Sequence, residues 1–240
     1  MDDGAGKYIS GPAAGCHECC ATAPVAGATV GRAGLDGVKA ALGKRGMELV
    51  AEGTYERNTV AVKSALLTLK RAEPEAVVMV GAYKPCAEFI KLARQIEFNP
   101  VFVNISFVGA SALARELGAQ GADVIVSQVV PFPWENSLKV VADYQAAMKA
   151  LDPQAQPEFV SLEGYLVGRL VIAGLDQAGA DPTREGLLKS IKQSASLDVG
   201  GLQMSFGPDK NTGLDKVFLT VIQADGKFKP VEKLGKVSSN

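Results

Sequence analysis

From Gly31 to about residue 130 the chain alternates between apolar residues at helical spacing and short continuous apolar runs. In GRAGLDGVKAALGKRG, Leu35, Val38 and Leu42 fall on one helical face, and Gly43 and Gly46 close the segment. MELVAEGTY predicts a strand followed by turn residues, and VAVKSALLTLKRAEPE predicts a helix that buries Val60, Ala65 or Leu66, and Leu69. AVVMVGA is a continuous apolar run of strand length, the pattern of a parallel strand covered on both faces. KPCAEFIKLARQIE places Cys86, Phe89, Ile90 and Ala93 at helical spacing. PVFVNIS, GASALARELGAQ and ADVIVSQVV continue as strand, helix and strand. Strands alternating with helices across short joints predict an α/β fold with a doubly wound parallel sheet.

The rhythm breaks at Pro131-Phe132-Pro133-Trp134, where two prolines remove donors and fix the backbone. This reads as a crossing segment, with Trp134 as packing at the crossing. Helical patterns follow. Leu138, Val141, Tyr144, Met148 and Leu151 make one stripe, and EFVSLEGYLVGRLVIAGLDQAG is a second, more apolar helix. Asp181-Pro182-Thr183 opens a third, TREGLLKSIKQ, with the proline read into the first turn. Three successive helices bring no sheet of their own to cover. GLQMSFGPDKNTG then reads as strand and turn. DKVFLTVIQADGKFKPVEKL reads as a hairpin, with Val217, Leu219 and Val221 alternating before an Asp225-Gly226 turn, then Phe228 and Val231. The resulting organisation is an atypical segment 1–30, an α/β lobe from 31–130 and 214–240, and a crossing with helices from 131–213.

Composition narrows the partners. The net charge is −1 with acids and bases interleaved, so no basic stripe points to nucleic acid. No apolar run approaches the ~20 residues of a membrane span. MDDGAGKYIS opens with two acids and lacks the apolar stretch of a secretory signal.

Candidate chemistry is sparse. GCHECC gathers Cys16, His17, Cys19 and Cys20 into one turn with no second ligand pair, whereas structural zinc takes two separated pairs. Cys86 falls on an apolar helix face and reads as core. A Cys16/Cys19 redox pair lacks a preceding strand and a following helix. No metal is therefore expected. His17 is the only histidine, so a Ser/His/Asp or Cys/His arrangement has no other base to draw on. GAGKYIS is not a phosphate loop, and no glycine fingerprint for a dinucleotide occurs, so no cofactor and no enzymatic activity are expected. In open α/β sheets ligands bind beyond the carboxyl ends of strands, which points to Gly81-Ala82-Tyr83, Ser106-Phe107 and Ser127-Gln128.

The ordered set GRAGLDGVKAAL, LLTLKRAEPEAVVMVGAY, FIKLARQIEFNPVFVNISFVGASALARELG, VIVSQVVPFPW, FVSLEGYLVGRLVIAGLDQAG and KVFLTVIQADGKFKPV resembles the type I periplasmic solute-binding proteins of ABC transporters, the branched-chain amino-acid-binding group in particular. The resemblance implies two α/β lobes joined by crossings, with ligand clamped between them. Residues 31–130 correspond to most of the second lobe, PFPW to a crossing, 135–200 to the closing helices of the first lobe, and the C-terminal hairpin to a return to the second. The family's N-terminal stretch, which builds the first lobe's sheet and supplies donors for a ligand carboxylate, has no counterpart. The expected architecture is therefore one doubly wound lobe plus a helical remnant of the other, with ligand affinity reduced. GRAG restores the family pattern after SGPAAGCHECCATAPVAGATV, and residues 9–30 read as a stretch translated in a shifted frame. Val30 falls where the family places an aromatic against the ligand.

The resemblance also implies site residues. Tyr83 and Ser106 fall on ligand-contacting positions, or else cap a strand and satisfy backbone groups. Phe107 either stacks on an apolar part of the ligand or is core. Glu163 and Tyr165 open the long first-lobe helix, Glu163 either pairing a ligand amino group or sitting favourably near a helix N-terminus. Ser106 stands where the family's amino-acid binders carry an acid, so a carboxylate with an apolar or aromatic body fits as well as a branched-chain amino acid. The implied function is capture of an amino acid or related small carboxylate by hinge closure, and delivery to an ABC transporter permease in the periplasm. The alternative is a ligand-sensing regulatory or receptor domain of the same fold.

Overall fold

The computed structural model describes residues 18–24, 29–180, 182–194 and 196–231, with side chains from residue 31 onward. In chain order the elements are β1 (Glu18–Pro24), α1 (Thr29–Gly43), β2 (Glu48–Glu52), α2 (Lys63–Ala72), β3 (Ala76–Val80), α3 (Tyr83–Gln95), β4 (Val101–Asn104), α4 (Ala110–Leu117), β5 (Ile125–Gln128), α5 (Lys139–Leu151), α6 (Phe159–Ala178), α7 (Arg184–Gln193), β6 (Leu197–Asp198), β7 (Gln203–Met204), β8 (Phe218–Ile222) and β9 (Phe228–Val231). They form two compact units, one running to Gln128 and resuming at Leu219, the other Val129–Phe218.

The first unit is built on a sheet in the order β2-β1-β3-β4-β5-β8-β9. β1 pairs in parallel with both β2 and β3, and β3 with β4 and β4 with β5 continue in parallel, so the α/β reading holds. The edge is closed by β8 and β9, an antiparallel hairpin in which Ile222 faces Phe228. Strands buried on both faces carry apolar side chains at every position, as Val77 and Val80 do in β3. Helix α3 lays Cys86, Phe89, Ile90 and Ala93 on this surface, and the Phe89 ring meets Phe102 of β4 edge-on at 6.5 Å. Helix α2 buries Ala65, Leu66 and Leu69.

Several details differ from the sequence expectation. Val60 is exposed, because α2 starts at Lys63 and Val60 sits in the turn before it, its carbonyl accepting from Val62 N–H at 2.9 Å. In β8 the buried residues are Thr220 and Ile222 rather than the expected Val217, Leu219 and Val221. The parity is fixed by packing on the turn before β5, where a methyl on Gly121 would lie 3.2 Å from Ile222 Cγ2. β1 lies within the stretch that predicted no element. Backbone donors and acceptors pair between two strands whatever the side-chain period. Its register against β2 slips twice, around Cys20. Cys16 and His17 of GCHECC, with residues 9–15 and 25–28, lie outside the described residues.

The second unit consists of α5, α6 and α7 with the small antiparallel pair β6 and β7. Val140, Val141 and Tyr144 of α5 are buried, whereas Leu151 at the helix end is exposed. Helix α6 meets α7 at Gly174, where a side-chain methyl would come within 2.8 Å of Ile191 and 2.9 Å of Leu187. Ser190 Oγ donates to the Gly174 carbonyl at 2.8 Å in the same notch. Pro182 precedes the N-cap rather than sitting in the first turn. Thr183 is the cap, its Oγ1 accepting from Gly186 N–H at 3.0 Å. The crossing residues Phe132 and Trp134 pack with Phe159 at the start of α6, with centroid separations of 4.9 to 6.0 Å. Val160, Val167, Val171 and Ile172 of α6 stay exposed.

Candidate functional site

The parallel ladder pairs Met79 of β3 with Asn104 of β4, so the carboxyl ends of these two strands are level. The segments that leave the two strands therefore emerge from one sheet edge, the edge where open α/β sheets place ligands. After β3 come Gly81 and Ala82, and α3 begins at Tyr83, which is half-buried. After β4, Ser106 opens a 3-10 turn through Val108. The turn is closed by Val108 N–H donating to Ile105 at 3.0 Å and Gly109 N–H donating to Ser106 at 3.1 Å. Gly109 has φ 75°, a left-handed value suited to glycine, and starts α4 directly. Val108 is buried and anchors the turn, while Phe107 beside it is 58% exposed. Phe107 is thus not a core residue, which corrects one of its two readings.

Helix α3 has no side-chain cap at Ala82. Pro85 lacks an N–H, so the first turn offers the amides of Tyr83 and Lys84 toward the sheet edge. Cys86 follows one turn in and is buried among the α3 core residues, where desolvation pushes its thiol up to about 12. It is a packing residue in its neutral form.

The third strand end differs. Gln128 is buried, and its Nε2 donates to Thr220 Oγ1 at 3.4 Å, while that hydroxyl donates to the Val126 carbonyl at 3.1 Å. The amide is used inside the unit, so the expectation for Gln128 gives way to a structural role joining β5 to β8.

Glu163 and Tyr165 belong to the second unit. Glu163 is exposed on α6 but is the fifth residue of a helix that starts at Phe159, so neither it nor Tyr165 opens the helix, and the dipole reading of the acid loses its basis. Tyr165 is half-buried, its ring 5.7 Å from that of Tyr144. Tyr144 is fixed by its hydroxyl, which shares a 2.6 Å bond with Ser161 Oγ and accepts from Glu158 N–H at 3.0 Å. The structure therefore groups Tyr83, Ser106 and Phe107 at one sheet edge and Glu163 with Tyr165 on one helix.

Asn104 was not legible as part of this region. It is fully buried at the end of β4, two residues before Ser106, and neither its Oδ1 nor its Nδ2 has a hydrogen-bond partner among the described residues. A polar residue closing an apolar strand was the available signal. Among the described residues no group of three or more His, Cys, Asp or Glu side chains is placed to hold a metal ion. No helix among them is long and apolar enough to cross a membrane.

Residues 25–227 match the periplasmic binding protein family. No curated protein sequence matches the chain. Among solved structures, a possible leucine/isoleucine/valine-binding protein from Rhodopirellula baltica SH 1 superposes with a TM-score of 0.79 at 32% identity, over 90% of this chain and 58% of its own. A substrate-binding periplasmic protein from Ralstonia solanacearum gives 0.79 at 21% identity, over 90% of this chain and 62% of its own. A fatty acid ABC transporter substrate-binding protein from Thermomonospora curvata gives 0.77 at 20% identity, over 90% of this chain and 57% of its own. The chain thus spans less than two thirds of the length of these relatives. With the family matched across most of its residues and an α/β lobe to fit, the chain belongs to the type I periplasmic binding proteins.

Proposed function

We propose that this chain is the substrate-binding component of an ABC transporter, capturing an amino acid or related small carboxylate by hinge closure and passing it to a membrane permease in the periplasm. The observation that carries the reading is the level edge of β3 and β4, which presents Tyr83, Ser106 and an outward Phe107. An exposed aromatic ring beside a hydroxyl suits a solute with an apolar body and a polar end. Two relatives support that class, one described as a possible leucine/isoleucine/valine-binding protein and one as a fatty acid transporter component. Both kinds of solute combine a carboxylate with an apolar chain. Ser106 is uncharged and offers an ammonium group no ion pair, so a solute whose polar end is a carboxylate alone suits this edge as well as an amino acid does.

The test is calorimetric titration with L-leucine and with dodecanoate. Tyr83→Ala and Phe107→Ala are each expected to weaken binding roughly tenfold or more, about 1.4 kcal/mol, and Phe107→Ala to do so with an unchanged melting temperature. Equal affinity in both variants and the unsubstituted chain would remove this edge from the binding site.

A further inference from the structure

The turn that delivers Tyr83 is shaped by a residue from a different loop. Tyr55 lies three residues beyond the end of β2 and is 6% exposed. Because β1 stands between β2 and β3 in the sheet, Tyr55 crosses the end of a strand to reach Gly81. There its hydroxyl occupies the space a side chain at 81 would need. A methyl on Gly81 would collide with the Tyr55 oxygen, and would lie 3.3 Å from Tyr55 Cζ and 3.2 Å from Cys86 Sγ. The Ala82 backbone N–H lies on the side of the same oxygen, where it favours the ionised phenol. Burial and the neighbouring Cys86 push the phenol well above its ordinary range, against the opposing pull of that amide, so the hydroxyl stays neutral. The Ala82 carbonyl is used by Cys86 N–H at 3.3 Å, and Ala82 has no side chain with which to cap α3.

We propose that Tyr55 is a positioning residue of the solute site: its buried hydroxyl latches the Gly81-Ala82 turn and thereby sets the direction in which Tyr83 leaves the sheet edge. The proposal rests on the reading of Tyr83 as a solute contact. It accounts for three facts together: a glycine buried at 81, an α3 N-terminus without a side-chain cap, and a buried phenol in the segment that follows β2. Phenylalanine at 55 would keep the packing and lose only the latch.

Amide hydrogen exchange resolved by NMR tests this without any solute. Tyr55→Phe is expected to speed exchange at Ala82 roughly tenfold, the effect of losing one hydrogen bond, while β3 and the later turns of α3 exchange as before. A change under twofold at Ala82, or acceleration spread evenly over β3 and α3, overturns the latch. The second arm is a rescue. Gly81→Ala should destabilise the unsubstituted chain and do so measurably less in the Tyr55→Phe background, since the oxygen it strikes is gone. Equal damage in both backgrounds also counts against the proposal. Titration with L-leucine separates the two readings: if Tyr83→Ala binds like the unsubstituted chain while Ala82 exchange still responds to Tyr55→Phe, the latch stands and the solute role of Tyr83 falls.

Discussion

More than half of the Phe107 surface is open, and a phenylalanine in that state contributes little to folding. Its truncation should therefore separate binding from stability. Asn104 behaves in the opposite way. A buried amide without partners costs about 1–3 kcal/mol relative to one that is bonded. Asn104→Leu, which keeps the volume and discards the polar atoms, is expected to stabilise the first unit by about 1 kcal/mol in urea unfolding. A loss of stability instead would show that the amide is satisfied in the folded protein. Neither residue's state could be read from the chain. Phe107 stands in an apolar surrounding, NISFVGA, which suits core and surface alike, and only the turn pinned by Val108 turns it outward. The rule that ligands sit beyond strand ends located Tyr83 and Ser106 at one edge, yet failed for Gln128, because a partner ninety-two positions along the chain takes its amide.

Most elements were legible because parallel strands covered on both faces print unbroken apolar runs, and their helices print a 3.6-residue period. What escaped was whatever depends on a neighbour: β1, held by backbone pairing to two strands, and the parity of β8, decided by packing against Gly121. The meeting of α6 and α7 has the same character. Gly174 admits Leu187 and Ile191 to within van der Waals range, so Gly174→Val should force the helices apart and cost about 1–3 kcal/mol, measured as a lower urea midpoint for the second unit. Helix α3 carries a pH dependence. Cys86 is raised from 9.0 to about 12 in the folded state, so the folded form holds its proton more tightly than the unfolded form. Its contribution to stability is complete below about pH 9 and is lost as pH rises through that window. Melting temperature should fall from pH 9 upward, and Cys86→Ala should flatten that fall. An equally steep fall in the variant would place the alkaline sensitivity elsewhere.

At the scale of the molecule, the two units are unequally furnished. Among the described residues the first has a seven-stranded sheet with helices against it, whereas the second has three helices, a pair of two-residue strands and an α6 that leaves Val160, Val167, Val171 and Ile172 in water. Relatives that share this fold run on for a further two fifths of their length. The first unit carries a larger share of buried apolar surface, so it should be the more resistant to denaturant.

The aromatic group at the crossing makes that difference observable. Trp134 is the chain's only tryptophan, and it sits in the second unit, tilted against Phe132, edge-on to Phe159 and partly open to solvent. Its emission is a private optical channel for that unit, while circular dichroism at 222 nm sums the helices of both. The fluorescence curve in urea should run ahead of the dichroism curve, and the gap between the midpoints would measure how far the two units melt as independent bodies. Coincident curves would mean that they unfold as one.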